Sequence, residues 1–166
     1  MSAARLLGLA PVLRADTRVV VLGSFPGAAS LAAQQYYAHP RNRFWPVLSA
    51  VWGADLVALP YAQRLDAMLA RGVGLWDVFA SCAREGSLDS AIRDASPNDL
   101  ASLARRAPGL RAVIHNGQAS ARERRATDAL GVDVHVLPST SPANATWSLE
   151  RHRVAWAAVL GRYDPA

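Results

Sequence analysis

The stretch from Arg18 to Gly27, RVVVLGSFPG, carries the strongest fold signal in the chain. An apolar, β-branched run followed by a glycine-bounded turn predicts a buried strand that ends at Gly23. Because the turn follows the carboxyl end of that strand, its backbone N–H groups and the short Ser24 side chain lie where open α/β sheets bind ligands. The stretch therefore predicts a sheet and the edge of that sheet that holds a site.

Three more short apolar segments, each ended by a turn signal, predict further strands at Gly74–Phe79, Arg111–His115 and Asp133–Leu137. Helical patterns lie at Phe44–Trp52, Tyr61–Arg71, Asn98–Arg106, Gln118–Leu130 and Leu149–Gly161. Strands that alternate with helices favour an α/β fold, with a four-stranded, mostly parallel sheet flanked by helices on both faces. The strand that ends at Gly23 is the most continuously apolar, so we expect it at the centre.

The length of 166 residues fits one domain over residues 1–166 and suffices to bury a core. No apolar run reaches the roughly 20 residues that span a bilayer, and the N-terminus lacks the pattern of a signal peptide. We therefore expect a cytoplasmic protein that works as a monomer and has no membrane partner. The single cysteine, Cys82, excludes an intrachain disulfide and a four-cysteine iron–sulfur cluster, so we expect no metal and no cofactor.

The charge of the chain is moderately positive. All 18 basic residues are arginine, the net charge is +5 and the pI is about 10.3. A basic excess suits a polyanionic partner because neutralising phosphates releases counterions. A charge of this size is also common among soluble proteins, so charge alone does not decide for a nucleic acid.

A second informative block, YYAHPRNRFW from Tyr36 to Trp45, follows the first loop after a short polar run. Pro46 belongs in the first turn of a helix, so a helix begins near residues 43–45 and Asn42 lies in the loop just before it. An asparagine at that position either caps the helix or faces a ligand.

Together the two blocks resemble the uracil-DNA glycosylase superfamily. Within it they resemble the mismatch-specific and hypoxanthine-DNA glycosylases, which pair a G-x-x-P-G loop with an H-P-x-N-R-F-W segment; this chain has GSFPG and HPRNRFW in that order. The resemblance extends from the first strand to the loop at residues 137–144. It implies DNA with a deaminated base as the partner, extrusion of that base, and hydrolysis of its N-glycosidic bond.

One position of the first loop departs from the family pattern. Mismatch-specific enzymes have a catalytic asparagine before the proline, and other branches have aspartate or asparagine, whereas this chain has Phe25. In the hypoxanthine branch that loop lacks the polar residue, and the catalytic asparagine lies in the segment that matches Asn42. The resemblance is therefore closest to the hypoxanthine branch, and it implies that Asn42 is catalytic and places the attacking water.

The resemblance also implies a base-binding set. Tyr37 matches an aromatic ring that stacks on the extruded base, with core packing as the alternative. Asp77 ends the second predicted strand, where relatives read the edge of the base, or it caps a turn. His39 binds the base or a phosphate, or it fixes its loop. The full set is Gly23, Ser24, Phe25, Pro26, Gly27, Tyr37, His39 and Asp77.

Two further loops resemble DNA-binding segments of the superfamily. The turn after the last predicted strand matches a loop that enters the minor groove, where hydroxyls bind phosphate and Pro142-Ala143 form a small apolar wedge. A plain turn before the last helix is the alternative. The segment at residues 116–118 matches a loop that meets the DNA backbone. The full set is Asn116, Gly117, Gln118, Ser139, Thr140, Ser141, Pro142, Ala143 and Asn144.

Two other classes of function stay open at this stage. A Ser/His hydrolase would use Ser24 with one of the histidines, although GSFPG does not match the G-x-S-x-G nucleophile elbow. A non-catalytic nucleic-acid-binding relative is compatible with Phe25, and with Ser139 where many relatives have histidine or asparagine. The sequence leaves the order of preference among hypoxanthine, uracil and xanthine open.

Overall fold

The computed structural model describes residues 4–164, which form two sheets. The strands are β1 (Arg5–Leu7), β2 (Val19–Gly23), β3 (Val73–Asp77), β4 (Phe79–Ala83), β5 (Arg93–Pro97), β6 (Ala112–Asn116) and β7 (Asp133–Leu137). The larger sheet has the order β3-β2-β6-β7, and all of its pairs are parallel. The smaller sheet has the order β1-β4-β5 and is antiparallel.

Helices cover both faces of the larger sheet. They are α1 (Ala28–Ala33), α2 (Phe44–Trp52), α3 (Tyr61–Ala70), α4 (Leu103–Arg106), α5 (Gln118–Ala121), α6 (Arg124–Asp128) and α7 (Leu149–Leu160). Alternation along β2 sends Val19 and Val21 into a core with α2, α3 and α7, and sends Val20 and Leu22 into a second core with α4. The four side chains are at most 2% exposed, as expected of a strand buried on both faces.

This architecture confirms the predicted four-stranded parallel sheet with helices on both faces, and it places β2 inside that sheet. The bounds of α2 also match the prediction. The predicted strand Gly74–Phe79 is instead divided between two sheets, because the chain leaves β3 after Asp77 and enters β4 at Phe79. The predicted helix Gln118–Leu130 is two short helices, α5 and α6, whose Ser120 and Thr127 hydroxyls bond the two ring nitrogens of buried His115.

The topology brings the turns after β2, β3, β6 and β7 to one edge of the parallel sheet. Gly23 at the end of β2 pairs in register with Asp77 at the end of β3. On the other side, Asn116 ends β6 opposite Leu137, which ends β7. Among residues 4–164, each helix is too short or too polar to cross a bilayer.

Candidate functional site

A cavity of about 680 Å³ opens at the carboxyl edge of the parallel sheet. Ligand pockets in proteins measure roughly 300–1,000 Å³, so the space accommodates a nucleobase. Its walls include most of the predicted site, namely Gly23, Ser24, Phe25, Pro26, Gly27, Tyr37, His39, Asn42, Asp77, Asn116, Ser139, Thr140, Ser141, Pro142, Ala143 and Asn144. The fold thus gathers in one place residues from five separate segments of the chain.

Two residues of the predicted DNA-binding set, Gly117 and Gln118, lie outside the cavity wall. Gly117 has φ +101°, and its N–H donates to the Leu137 carbonyl. A Cβ at this glycine would lie 2.9 Å from Ser139 Cβ, so the glycine lets the loop after β7 pack closely against the end of β6. Gln118 is exposed at the start of α5.

The sequence did not predict one wall of the cavity. It is the turn at Ser87–Ser90 between β4 and β5. The Ser24 hydroxyl donates to Asp89 Oδ1 at 2.6 Å, and Ser87 Oγ accepts from the Ala28 N–H at 2.9 Å. The polar run after Gly86 is a turn signal, but it indicates a cavity wall only once β4 and β5 are known to form a second sheet.

The same contact argues against the hydrolase alternative. Ser24 gives its proton to Asp89, and within residues 4–164 no histidine is hydrogen-bonded to Ser24. His135 instead bonds Tyr163 Oη at 2.7 Å. A Ser/His hydrolase needs a histidine within hydrogen-bond reach of the serine, and Ser24 donates to a carboxyl group instead.

The first loop is held by a buried arginine. Arg84 is 7% exposed, and its Nη2 donates to the Pro26 carbonyl at 2.6 Å. The guanidinium carbon lies 5.3 Å from the centre of the Phe25 ring, within the range of a cation–π contact. Phe25 therefore has a packing role in the first loop.

Asn42 lies one residue before Arg43, the N-cap of α2, and also lines the cavity. Its Oδ1 accepts from the Phe44 N–H at 2.9 Å and from the Thr140 hydroxyl at 3.0 Å. Because the Phe44 N–H can donate only to the oxygen of the Asn42 amide and not to its NH₂ group, this contact fixes which end of the amide faces α2. Among the described residues the Asn42 NH₂ group makes no hydrogen bond. The group that Asn42 has left for a ligand is therefore a donor.

A chain of hydrogen bonds extends from Asn42 across the cavity wall. Thr140, 1% exposed, donates to Asn42, and its Oγ1 accepts from Asn116 Nδ2 at 3.0 Å. The Thr140 N–H donates to Asn116 Oδ1 at 3.1 Å, and Asn116 Nδ2 also approaches Tyr37 Oη at 3.3 Å. Thr140 thus bonds Asn42 and Asn116 directly, and Asn116 in turn bonds Tyr37.

Tyr37 is held in an unusual backbone conformation. Its φ is +56°, a left-handed value that costs a residue other than glycine about 1 kcal/mol and that persists only where the surroundings enforce it. Its ring stacks on Phe44, with centroids 4.1 Å apart. Burial, together with the charge of Asp77, raises the pKa of the Tyr37 phenol, so the hydroxyl stays neutral. Strain of this kind is common at ligand sites.

Asp77 lies at the floor of the cavity with only 4% of its surface exposed. Among the described residues its Oδ2 has no hydrogen-bond partner. Burial raises the pKa of this carboxyl to about 7, and the nearby charge of Asp89 adds to the effect. A Cβ on Gly23 would lie 2.5 Å from Asp77 Oδ1, so glycine makes room for the carboxyl group.

The remaining polar residues of the cavity mostly fix their own loops. His39 is exposed, and its Nδ1 accepts from the Arg41 N–H at 3.0 Å. Ser139 and Ser141 accept from backbone N–H groups two residues further on. Pro142 and Ala143 are exposed at the mouth. Within residues 4–164, no group of three His, Cys, Asp or Glu side chains is placed to hold a metal ion.

A second groove, of about 600 Å³, lies on the other side of the loop at residues 141–144. It shares Asn42 and Pro142 with the cavity, and Arg41 and Arg43 add positive charge. Pro46 and Leu149 give it an apolar surface. A polyanionic strand that follows this groove would reach the cavity at Asn42.

Comparisons with known proteins agree with this arrangement. A model of the Uracil DNA glycosylase superfamily matches residues 10–160. The chain is 38% identical over 155 residues to a hypoxanthine DNA glycosylase of Methanosarcina barkeri, covering 93% of this chain and 98% of the relative. It is 37% identical over 153 residues to a hypoxanthine DNA glycosylase of Methanosarcina acetivorans, covering 92% and 96%.

A solved structure is also similar. It is the solution NMR structure of a Methanosarcina acetivorans protein with a provisional assignment as a uracil DNA glycosylase. The TM-score is 0.87 at 35% identity, and the match covers 96% of this chain and 99% of the other. The similarity therefore extends over nearly the whole fold.

Proposed function

Because the chain belongs to the uracil DNA glycosylase superfamily and is a DNA glycosylase, we propose that it excises hypoxanthine from DNA by base extrusion and water attack. The substrate is supported by the two relatives named hypoxanthine DNA glycosylases, which this chain matches over nearly its whole length. The observation that carries the proposal is the meeting of the first loop, Tyr37, Asn42 and the loop at residues 139–144 around one cavity.

The proposed roles follow from the contacts of each residue. Tyr37, fixed against Phe44, stacks on the extruded base. The free NH₂ group of Asn42 donates either to the water or to the sugar–base unit as charge develops. Pro142 and Ala143, exposed at the mouth, fill the gap that the base leaves in the duplex.

The reaction breaks the bond between the sugar carbon C1′ and the base nitrogen, and the electron pair of that bond leaves with the base. Water adds its oxygen to C1′, which has oxocarbenium character at that stage, and loses a proton. The products are the free base and an abasic site. As further parts of the proposal, the chain acts as one domain, as a monomer and in the cytoplasm.

A panel of duplexes tests the proposal. The protein is incubated with DNA that carries a single deoxyinosine, uracil or xanthine, and abasic sites are then cleaved with alkali. We expect strand cleavage at deoxyinosine at the highest rate, and none in undamaged duplex. Faster release of uracil would overturn the substrate assignment. Tight binding to deoxyinosine duplex without release of any base would favour the non-catalytic relative.

A further inference from the structure

Asp77 is a buried acidic group whose use is not explained by the fold. It sits at the cavity floor, and within residues 4–164 its Oδ2 is buried without any hydrogen-bond partner. Burying an unpaired carboxylate is costly, and proteins avoid that cost by keeping the group protonated or by giving it a ligand. The Asp77 carboxyl group, at the cavity wall, therefore has hydrogen-bonding capacity that no described residue uses.

The groups that face Asp77 favour the protonated form. The turn between β4 and β5 contributes Asp89, whose charge raises the pKa of Asp77. The segment before α2 brings Tyr36, Tyr37 and His39 to the wall of the same cavity, and the Tyr36 hydroxyl donates to the Ala10 carbonyl. The ends of β2 and β6 contribute Gly23 and Asn116, which carry no charge. No arginine lines the cavity among the described residues. A carboxylate at Asp77 would thus face a second carboxylate and no fixed cation.

We propose that Asp77 is the general acid that protonates a ring nitrogen of the departing purine; this inference rests on the proposed function. As the bond between C1′ and N9 breaks, its electron pair moves into the purine ring. The proton on the Asp77 carboxyl group moves to a ring nitrogen, so the base leaves neutral and Asp77 becomes a carboxylate. The proton that the attacking water loses restores the acid or passes to solvent. Atoms and charges balance without any further reactant.

Two physical features make this assignment fit the site. Acid catalysis is most effective when the pKa of the acid lies near the working pH, and burial raises the pKa of Asp77 to about 7. Bound DNA adds negative charge and excludes water, and both changes favour the protonated carboxyl group further. The first loop offers no alternative acid, because Phe25 is apolar and the Ser24 proton is given to Asp89.

The test measures single-turnover release of hypoxanthine from deoxyinosine duplex, with protein in excess, from about pH 5.5 to about pH 9. For the parent we expect a rate that falls as pH rises through the pKa of bound Asp77. Asp77→Asn keeps the shape of the side chain without the acidic proton. It is expected to lose about 100-fold or more at the acidic end and to abolish that pH dependence. Binding to duplex with the non-cleavable 2′-fluoro-deoxyinosine shows that the variant is folded.

Asp89→Asn is the matched control, because it removes the other carboxyl group of the cavity. Without the charge of Asp89 the pKa of Asp77 falls, so the falling limb should move to lower pH and keep its shape. This variant tests the proposal even if Asp77→Asn does not fold. A parent rate that rises with pH, a limb that Asp89→Asn does not move, or an Asp77→Asn profile like that of the parent would overturn the inference. A parent that releases no deaminated base at any pH would overturn the proposed function instead.

Discussion

The polar side chains on the two sides of the cavity differ in their hydrogen bonding: Asn42 is held by hydrogen bonds, whereas one oxygen of Asp77 has none among residues 4–164. Asn42 Oδ1 accepts two hydrogen bonds, and Thr140 ties it to the end of β6. Asp77 Oδ2, on the neighbouring side, is buried with no partner within the described residues. The first arrangement fixes the direction of a donor, and the second keeps a proton on a carboxyl group.

The difference shows two ways in which a fold can prepare a group for chemistry. Hydrogen bonds position Asn42 at little cost, because one of them also satisfies the first N–H of α2. Asp77 is prepared to donate a proton by burial, since burial raises the pKa of its carboxyl group to about 7. Substitutions on the Asn42 side should therefore change rates through geometry, whereas substitutions on the Asp77 side should change pH dependence and stability.

The largest effect is expected from Asn42→Ala, which removes a proposed transition-state donor. Such donors contribute roughly 100- to 1,000-fold in rate, so single-turnover release of hypoxanthine should fall by about that factor while DNA binding changes little. Asn42→Asp is the matched variant. It keeps the oxygen that accepts from the Phe44 N–H, so the variant should retain the thermal stability of the parent. Its rate of hypoxanthine release should nevertheless fall by the same factor as that of Asn42→Ala. An active Asn42→Asp enzyme would show that the NH₂ group is not needed.

On the Asp77 side, Asp77→Asn should stabilise the protein at alkaline pH. The folded-state pKa of about 7 lies above the ordinary value of 3.8, so ionising Asp77 costs stability as pH rises from 4 to 7, and the full cost remains above 7. At pH 8 the variant should gain about 4 kcal/mol in free energy of unfolding, whereas near pH 4 the gain should vanish. Denaturant unfolding of both proteins at the two pH values measures this. Equal stability at pH 8 would mean that Asp77 is not destabilised by burial.

Tyr37 interacts with both sides of the cavity, so substituting it tests whether the Asn42 side and the Asp77 side act independently. Its hydroxyl bonds Asn116 on the Asn42 side, while the charge of Asp77 raises the pKa of its phenol. Tyr37→Ala should cost roughly 1–3 kcal/mol of transition-state stabilisation, by a similar factor for every base that is excised. Tyr37→Phe keeps the ring and should be mild. Unchanged rates for Tyr37→Ala on all substrates would identify the ring as core packing.

The smallest effect is expected from Thr140→Val, which leaves Asn42 with one hydrogen bond fewer and Asn116 Nδ2 without its best acceptor. Losing a buried partner costs about 1 kcal/mol or somewhat more, so we expect a decrease in rate of about tenfold. Thr140→Ser restores the hydroxyl and should recover most of that loss. The pH profile should keep its midpoint in both variants, because Asp77 is untouched. A shifted midpoint would show that the two sides are coupled.

Sequence alone predicted the parts of the fold that have a periodic apolar pattern. The strand that ends at Gly23 buries every residue, and the helix Phe44–Trp52 buries Phe44, Trp45, Val47 and Leu48 on one face, so burial and pattern coincide. The strand Arg93–Pro97 has the sequence RDASP, is largely exposed and contains Asp94 at φ +51°, so it lacks that pattern. The smaller sheet, and with it the cavity wall at Ser87–Ser90, therefore could not be predicted.

The candidate site divides in the same way. The placement of Asn42 before a helix followed from Pro46 and the flanking motif, and the structure shows both its hydrogen bond to the first N–H of α2 and its place on the cavity wall. The isolation of the Asp77 carboxyl group depends on how Asp89 and Gly23 approach it from other segments. Such long-range distances have no local sequence signal. The resemblance could thus name Asp77, but it could not show that its carboxyl oxygen is buried without a partner.

The missing side chain at Gly23 couples two positions that are far apart in the chain. Any β-carbon at position 23 would overlap the space that Asp77 Oδ1 occupies, so a larger residue there requires a smaller one at position 77. Homologues should therefore keep glycine with aspartate or exchange both, and mixed pairs should be rare. An engineer who wishes to retune the acid must accordingly redesign the end of β2 together with the end of β3.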